Sequence, residues 1–452
     1  MTKEKYIERA TEYLDSWLES YMIKSGNVGI SVSILKGDEI IFSKQMGFAN
    51  LDTQEQLSND HIIRFASHSK NITAIAIMQL VEQGKINLSD KLSDYLDFLN
   101  CDDETYQKMT LRQVLSHTSG ISRDGDDSGF WSLYHSFPTK EDLKQFFATS
   151  NAVIENNTYY KYTNFGYSLL GLLIEELTGE SYIDYIQKNL FDKLGLSHIY
   201  MEFDANKKNI TGHAHKSHIG RFTTLEKDFK ANGLAPAGGI CATTESMCKF
   251  YKNLFDNTLL SDESKKEMFR VQADIQKTSA NYGLGFRLID IEDDKLVGHN
   301  GGFPGQISST FISPAKNLVV SVAVNDSSGP AFEILSTVYN IINFFEKNKQ
   351  KLEKQDFEKF KGGFFNCWGE RIYTPVGDNI YVTSSFMSPF NSASLLEHKV
   401  DNIFKVMTQD ATGSYAQDVE FEFDNNDNLE KVKFSGSYSY KREDYINKFI
   451  KK

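Results

Sequence analysis

The sequence predicts an α+β protein: an antiparallel sheet flanked by terminal helices with a helical subdomain inserted, followed by a small, barrel-like antiparallel β domain. Three observations carry this. Extended segments stand near residues 28–48 and again near 295–324, with helical patterns outside both. Between them, from Ser67 to about Leu194, helix-period apolar spacing dominates, so the strands come from the two ends and the helices from the middle. Beyond residue 362 strict alternation takes over, the periodicity of half-buried strands.

The first 21 residues carry Tyr6, Ala10, Tyr13, Leu14, Trp17 and Tyr21 at helical spacing with charges between. That is an amphipathic helix, without the unbroken apolar core of a secretion signal. Val28–Leu35 and Glu39–Phe48 read as a hairpin turning at Lys36-Gly37-Asp38. Ile62, Ile63, Phe65 and Ala66 lead into Ser67, and Ile72 to Val81 leave it at helical spacing. Extended segments return at Lys295–Val297, Ser308–Ile312 and Leu318–Val324, before a long helix from about Ala331 to Lys347. Glu346 to Lys361 is a charge-rich run, read as a linker. Further on, Val419, Phe421 and Phe423 face one way and Glu420 and Glu422 the other, and the pattern resumes at Val432 and Phe434 after a polar turn. This is hairpin grammar. The expected domains are residues 1–347, a linker over 348–361, and a β domain over 362–452.

At 452 residues the chain exceeds one ordinary domain, and 40% hydrophobic with 24% charged residues describes a globular protein. A formal charge of −12 argues against nucleic acid or an anionic membrane as partner, since both need concentrated Lys and Arg. No stretch is long and apolar enough to span a bilayer. Cys101, Cys241, Cys248 and Cys367 show no disulfide or metal spacing, which fits reduced thiols and a cytoplasmic location.

The candidate chemistry begins at Ser67-His68-Ser69-Lys70. A serine at the mouth of a helix and a lysine three residues on share a face, so the amine can reach the hydroxyl. A lysine desolvated among apolar neighbours is a base able to activate serine. Ser-x-x-Lys also occurs at Ser33/Lys36, Ser246/Lys249 and Ser313/Lys316. Ser33 and Lys36 lie in a strand pattern, where odd spacing separates them onto opposite faces.

Two further triplets complete a constellation. Tyr162-Thr163-Asn164 precedes an apolar helix, and His299-Asn300-Gly301 opens a glycine-rich turn before a strand. In this order and spacing they resemble the serine beta-lactamase and penicillin-binding-protein superfamily, in particular the class C-like branch with its DD-carboxypeptidases, D-aminopeptidases and family VIII esterases. Leu115 to Gly120 (LSHTSG), Pro236 to Gly239, Tyr282 to Gly285 and Gly298 to Gly305 match that branch as well. The resemblance covers about residues 5 to 345. It implies Ser67 as nucleophile, Lys70 and Tyr162 as the proton-moving pair, and Asn164 holding Lys70 or a substrate amide. The Ser67 and Gly302 amides would form the oxyanion hole, with Gly301 letting backbone approach substrate closely. His299 stands where beta-lactamases of the branch usually carry lysine. A permanent charge for a beta-lactam carboxylate is therefore lost, and an orienting hydrogen-bond role is expected. In that family the segment holding His117 is structural. The β domain is similar to the lipocalin-like appendages some members carry, and is a candidate route to homo-oligomers. Asp90 reads as a local capping group. His213, His215 and His218 lack a carboxylate or cysteine to complete a metal site.

The expectation is therefore a serine hydrolase working through an acyl-enzyme on a small-molecule or short-peptide substrate, without metal or organic cofactor. A peptidase or amidase for small D-amino-acid peptides ranks first, then a carboxylesterase, then a beta-lactamase, with a degenerate ligand-binding homologue as the non-enzyme alternative. Fold alone does not choose among these.

Overall fold

The computed structural model describes residues 4–215, 223–225, 229–254, 256, 258–353, 357–409 and 413–450. The chain is mixed α+β and forms two compact units, residues 27–335 and residues 1–26 together with 336–452.

The 27–335 unit is built on a nine-stranded sheet. Its order is Glu55–Gln56, Glu39–Asn50, Gly29–Lys36, Leu318–Val324, Gln306–Ser313, Asp294–Phe303, Arg287–Ile291, Asn281–Tyr282 and Ala273–Asp274. Neighbours are antiparallel throughout, with Ile30 opposite Val324 and Val297 opposite Ile312. The predicted hairpin is present, with Lys36 opposite Glu39 around Gly37. Leu318–Val324 is buried at every residue, which is why it reads as a continuous apolar run rather than an alternating one. A separate three-stranded sheet joins Ile63–Ala66 to Ile240–Ala242, and that strand to Ile199–Tyr200.

Helices of the middle segment carry the core of this unit. Helix Ser69–Glu82 is buried from Ser69 to Leu80 on all faces, as a helix apolar all round must be. Helix Asn164–Thr178 brings Leu169, Leu170 and Leu173 into the same cluster. Each such side chain contributes about 1.5–3 kcal/mol by leaving water. Thr163 caps the second helix, accepting from the Gly166 amide at 2.9 Å, and so decides that Asn164 opens its first turn.

The other unit contains a closed eight-stranded barrel, from Gly362–Asn366 to Ser437–Tyr440, sealed where Phe365 pairs with Tyr440. Val419 and Phe421 point inward, while Glu420 and Glu422 face out to Lys433 and Lys431. The interior is filled by side chains, Phe364, Tyr373, Phe404 and Phe434 among them. The charge-rich segment read as a linker contributes one of them: the Phe360 ring lies 4.9 Å from both Phe404 and Phe421. Helix Lys5–Ser25 belongs to this unit. Tyr13 Oη lies 2.7 Å from Thr383 Oγ1, Trp17 Nε1 donates to Phe386 O at 3.0 Å, and Arg9 pairs with Glu358 at 2.6 Å. Phe344, near the end of helix Ala331–Lys347, stacks on Phe390 at 3.7 Å. The expected domain boundaries at 347 and 361 both fall inside this unit. Among the described residues no helix is long and apolar enough to cross a membrane, and all four cysteines are free.

Candidate active site

Strand Ile63–Ala66 delivers Ser67 to the start of its helix through a sharp turn. Ala66 takes a left-handed conformation, φ 48°, which an L-residue adopts at a cost of order 1–3 kcal/mol. The turn is tied down from both sides. Ser69 Oγ donates to Ala66 O at 2.7 Å and accepts from the Ile240 amide at 2.9 Å. His68 Nδ1 donates to Phe65 O at 2.8 Å. Gly301 sits directly behind, where an added Cβ would lie 2.0 Å from Phe65 O, so only glycine lets strand Asp294–Phe303 press against the nucleophile strand. Gly302 is exposed, with nothing nearer than 3.8 Å to such a Cβ.

Two motifs distant in sequence meet at Ser67, and a third segment holds its lysine. Tyr162 Oη donates to Ser67 Oγ at 2.7 Å, and Lys70 Nζ lies 3.2 Å from the same oxygen. Lys70 Nζ donates to Asn164 Oδ1 at 2.7 Å and to Ala237 O at 2.8 Å. Ser67 and Tyr162 are half-buried and reachable, whereas Lys70 is fully buried behind them. Gly171 permits this: a Cβ there would meet Pro236 Cγ at 2.2 Å, so helix Asn164–Thr178 approaches Ala235–Gly238 closely enough for both to reach one amine.

Burial governs the electrostatics. It holds Lys70 well below the ordinary lysine pKa, the Asp124 charge opposing and Arg123 reinforcing. Burial pushes the Tyr162 phenol up, so it stays protonated at neutral pH. His68 falls to about 3, and His117 and His299 are likewise held neutral, burial being the largest cause in each.

His299 Nδ1 lies 2.6 Å from Asn300 O, an acceptor, and therefore carries the proton; its Nε2 then accepts from Tyr282 Oη at 3.0 Å. Both ring nitrogens are engaged by the protein, and the ring is buried. His117 Nδ1 accepts from the Thr163 amide at 3.1 Å, and its ring packs 4.3 Å from that of Tyr162. It supports the segment that carries Tyr162.

The other Ser-x-x-Lys copies assemble nothing comparable. Ser33 Oγ lies 2.7 Å from Thr244 Oγ1 while Lys36 Nζ reaches Lys316 O, and Ser246 Oγ donates to Ser197 O. Ser313 is fully buried. Asp90 accepts locally from the Asn87 amide and Tyr95 Oη. His213 is buried against Asn325 O and the Leu51 amide, and His218 lies outside the described residues. Among the described residues no group of three or more His, Cys, Asp or Glu is arranged to hold a metal.

A helix-mouth serine contacted by a buried amine whose pKa burial lowers and a phenol whose pKa burial raises is an arrangement suited to acyl transfer. The sequence profile of the Beta-lactamase family matches residues 14–340, more than half of the chain. The chain belongs to the beta-lactamase family. A penicillin-binding protein of Bacillus subtilis (strain 168) is 25% identical over 293 residues, 61% of this chain and 63% of that protein, so the chain spans under two thirds of that relative. Penicillin-binding protein 4 of Amycolatopsis lactamdurans is 26% identical over 308 residues, 63% of this chain and 78% of that one. Among solved structures, the octameric penicillin-binding protein homologue from Pyrococcus abyssi superposes with a TM-score of 0.65 at 23% identity, covering 95% of this chain and 98% of its own. D-amino acid amidase from Ochrobactrum anthropi SV3 does so at 0.64 and 21%, covering 75% and 99%. At these identities the structural likeness is one of fold.

Several residues at this candidate site escape sequence reasoning. Ala237 contributes a backbone carbonyl, which leaves no side-chain signature. Tyr282 belongs to the quoted Tyr-Gly-Leu-Gly segment, but its partnership with His299 depends on strand register. Asp124, accepting from Asn164 Nδ2 at 2.6 Å, is one of three aspartates within 124–127, and nothing in the sequence singles it out.

Proposed function

We propose that this chain is a serine hydrolase acting through an acyl-enzyme on Ser67, with small D-amino-acid peptides or amides as substrates. The observation that carries the reading is the convergence of Lys70 Nζ and Tyr162 Oη on one serine oxygen, at 3.2 and 2.7 Å. Ser67 Oγ bonds to the substrate carbonyl carbon as its proton passes to the Lys70 lone pair. The carbonyl π electrons move to oxygen, held by the Ser67 and Gly302 amides. As that oxyanion collapses, the bond to the leaving nitrogen breaks. The nitrogen takes the Tyr162 phenol proton, and Lys70, which holds the proton taken from Ser67, returns one to the phenolate. Water, deprotonated by the same pair, then releases the acid. Lys70 is the acylation base and Tyr162 the acid, because burial favours the neutral form of each.

The ranking of substrates rests on His299. A neutral ring already engaged at both nitrogens supplies no cation for a beta-lactam carboxylate, which supports amides and esters over beta-lactams. The D-amino acid amidase fold likeness agrees with that order. The barrel acts in access or assembly, and the octameric fold relative makes a homo-oligomer the form to test by light scattering. A fluorophosphonate probe followed by peptide mapping tests the core of the proposal: adduct at Ser67, abolished in Ser67→Ala, is expected. Labelling elsewhere, or retained labelling of that variant, refutes it. Rates on D-amino-acid amides, short-chain esters and a chromogenic cephalosporin then rank the substrates.

A further inference from the structure

We infer that Asp124 is a positioning residue for the base: its carboxylate fixes the Asn164 amide with Oδ1 toward Lys70, and so aims the Lys70 lone pair at Ser67. The inference rests on the acyl-enzyme reading above and adds to it the group that orients the amine.

Hydrogen-bond inventory carries the argument. A neutral amine has two N–H donors and one lone pair, and Lys70 Nζ has three polar neighbours. Ala237 O can only accept, so it takes one N–H at 2.8 Å. Asn164 could present either end of its amide to Nζ. Asp124 removes the choice, because an ionised carboxylate accepts and cannot donate, and its Oδ1 lies 2.6 Å from Asn164 Nδ2. Asn164 Oδ1 therefore faces Lys70 and takes the second N–H at 2.7 Å. The one unassigned position on nitrogen, the lone pair, is left for the third neighbour, Ser67 Oγ. With the amide reversed, Asn164 Nδ2 would donate to that lone pair and quench the base.

Asp124 is built for this role. It is 6% exposed, yet its oxygens are held by three donors: Asn164 Nδ2, Trp131 Nε1 at 2.9 Å on the same oxygen, and Arg123 Nε at 3.0 Å on the other. Charge-assisted bonds of this kind are the strong class. Asp124 touches neither Ser67 nor Lys70 among its hydrogen bonds, so its positioning effect passes through Asn164, beside a direct charge effect that raises the lysine pKa.

The experiment measures the fluorophosphonate labelling rate of Ser67 against pH in the full chain, for wild type, Asp124→Asn and Asp124→Leu. The charged and titratable groups around Lys70 are His68 on its own helix, His117, Arg123 and Asp124 on the loop before Tyr162, Tyr162 and Tyr167, and His299 on its strand. The histidines are buried and neutral, so Asp124 is the anion whose loss Lys70 feels. Asp124→Asn keeps the side chain's size but removes the charge and permits the reversed amide. Its acid limb should move down by about one pH unit, since the lysine loses a nearby anion, and its plateau should fall roughly tenfold. Asp124→Leu should lower the plateau further, and if it does not fold, Asp124→Asn decides alone. Loss of the charge alone would move the limb and leave the plateau per active protein unchanged, and a merely structural aspartate would lower only the fraction of active protein. A plateau per active protein within about twofold of wild type, wherever the limb lies, overturns the inference. Wild type unlabelled at Ser67 would instead overturn the acyl-enzyme reading.

Discussion

Replacing Lys70 by methionine tests whether the amine is neutral in the folded protein, without reference to any substrate. Folding carries this side chain from water to full burial, and burial drives its pKa well below the ordinary 10.5. The unfolded chain then binds one more proton at Lys70 than the folded chain does, at every pH between the depressed folded value and the unfolded one. Stability therefore rises with pH across that window, by up to about 1.4 kcal/mol per pH unit, and falls as the medium is acidified. Methionine has no proton to bind, so Lys70→Met removes this slope. The variant also leaves Asn164 Oδ1 and Ala237 O without their donor, at about 1–3 kcal/mol each, but that cost does not depend on pH and appears as an offset. Groups common to both proteins cancel in the difference. Urea denaturation of both proteins at pH 7, 8 and 9, followed by tryptophan fluorescence with Trp131 as the tryptophan of the 27–335 unit, measures that difference. Wild type should gain on the variant by up to about 3 kcal/mol from pH 7 to 9. Parallel curves would mean Lys70 carries the same charge folded and unfolded, and would refute the neutral base.

Tyr162→Phe removes the phenol that donates to Ser67 Oγ and should lower amide turnover by about 10²–10⁴-fold, with ester turnover, whose leaving group needs less protonation, falling less; steady-state kinetics on matched amide and ester substrates read this. Gly301→Ala drives a methyl group into Phe65 O and should distort the nucleophile turn, reducing Ser67 labelling at least about tenfold, whereas Gly302→Ala, with open space around it, should fold normally by circular dichroism. Wild-type protein that hydrolyses a chromogenic cephalosporin faster than every ester and D-peptide overturns the substrate ranking, because the buried, neutral His299 ring supplies no cation for a beta-lactam carboxylate. Phe360→Ala should cost the barrel about 3–5 kcal/mol by cavity formation, seen as a lowered melting transition, while labelling at Ser67 persists.

Local patterns were legible wherever one physical signal dominates. The hairpin around Gly37, the strand Leu318–Val324, helix Ala331–Lys347 and the alternation of Val419, Phe421 and Val432 all follow from apolar periodicity, and the structure shows each of them. The Ser67 and Tyr162 motifs stood out because, with His299-Asn300-Gly301, they stand in an order and spacing that resemble a known family, each beside an apolar helix or strand pattern. Phe360 was hidden by its neighbours: in a run dominated by Lys and Glu, one aromatic does not announce that a barrel core receives it. Asp124 and Ala237 were hidden for different reasons. One is an unremarkable loop carboxylate, and the other acts through an atom every residue has.

By itself the sequence determined the fold class, the family and which serine stands at a helix mouth with a lysine one turn on, because these depend on spacing along the chain and on side-chain polarity. Only the tertiary structure decided that Lys70 is sealed from water, that three polar groups surround its nitrogen, that the His299 ring is engaged at both nitrogens, and that helix Lys5–Ser25 belongs with the barrel. Desolvation and hydrogen-bond direction are properties of what surrounds an atom from every side, and the neighbours that supply them here lie 94 and 167 residues away along the chain.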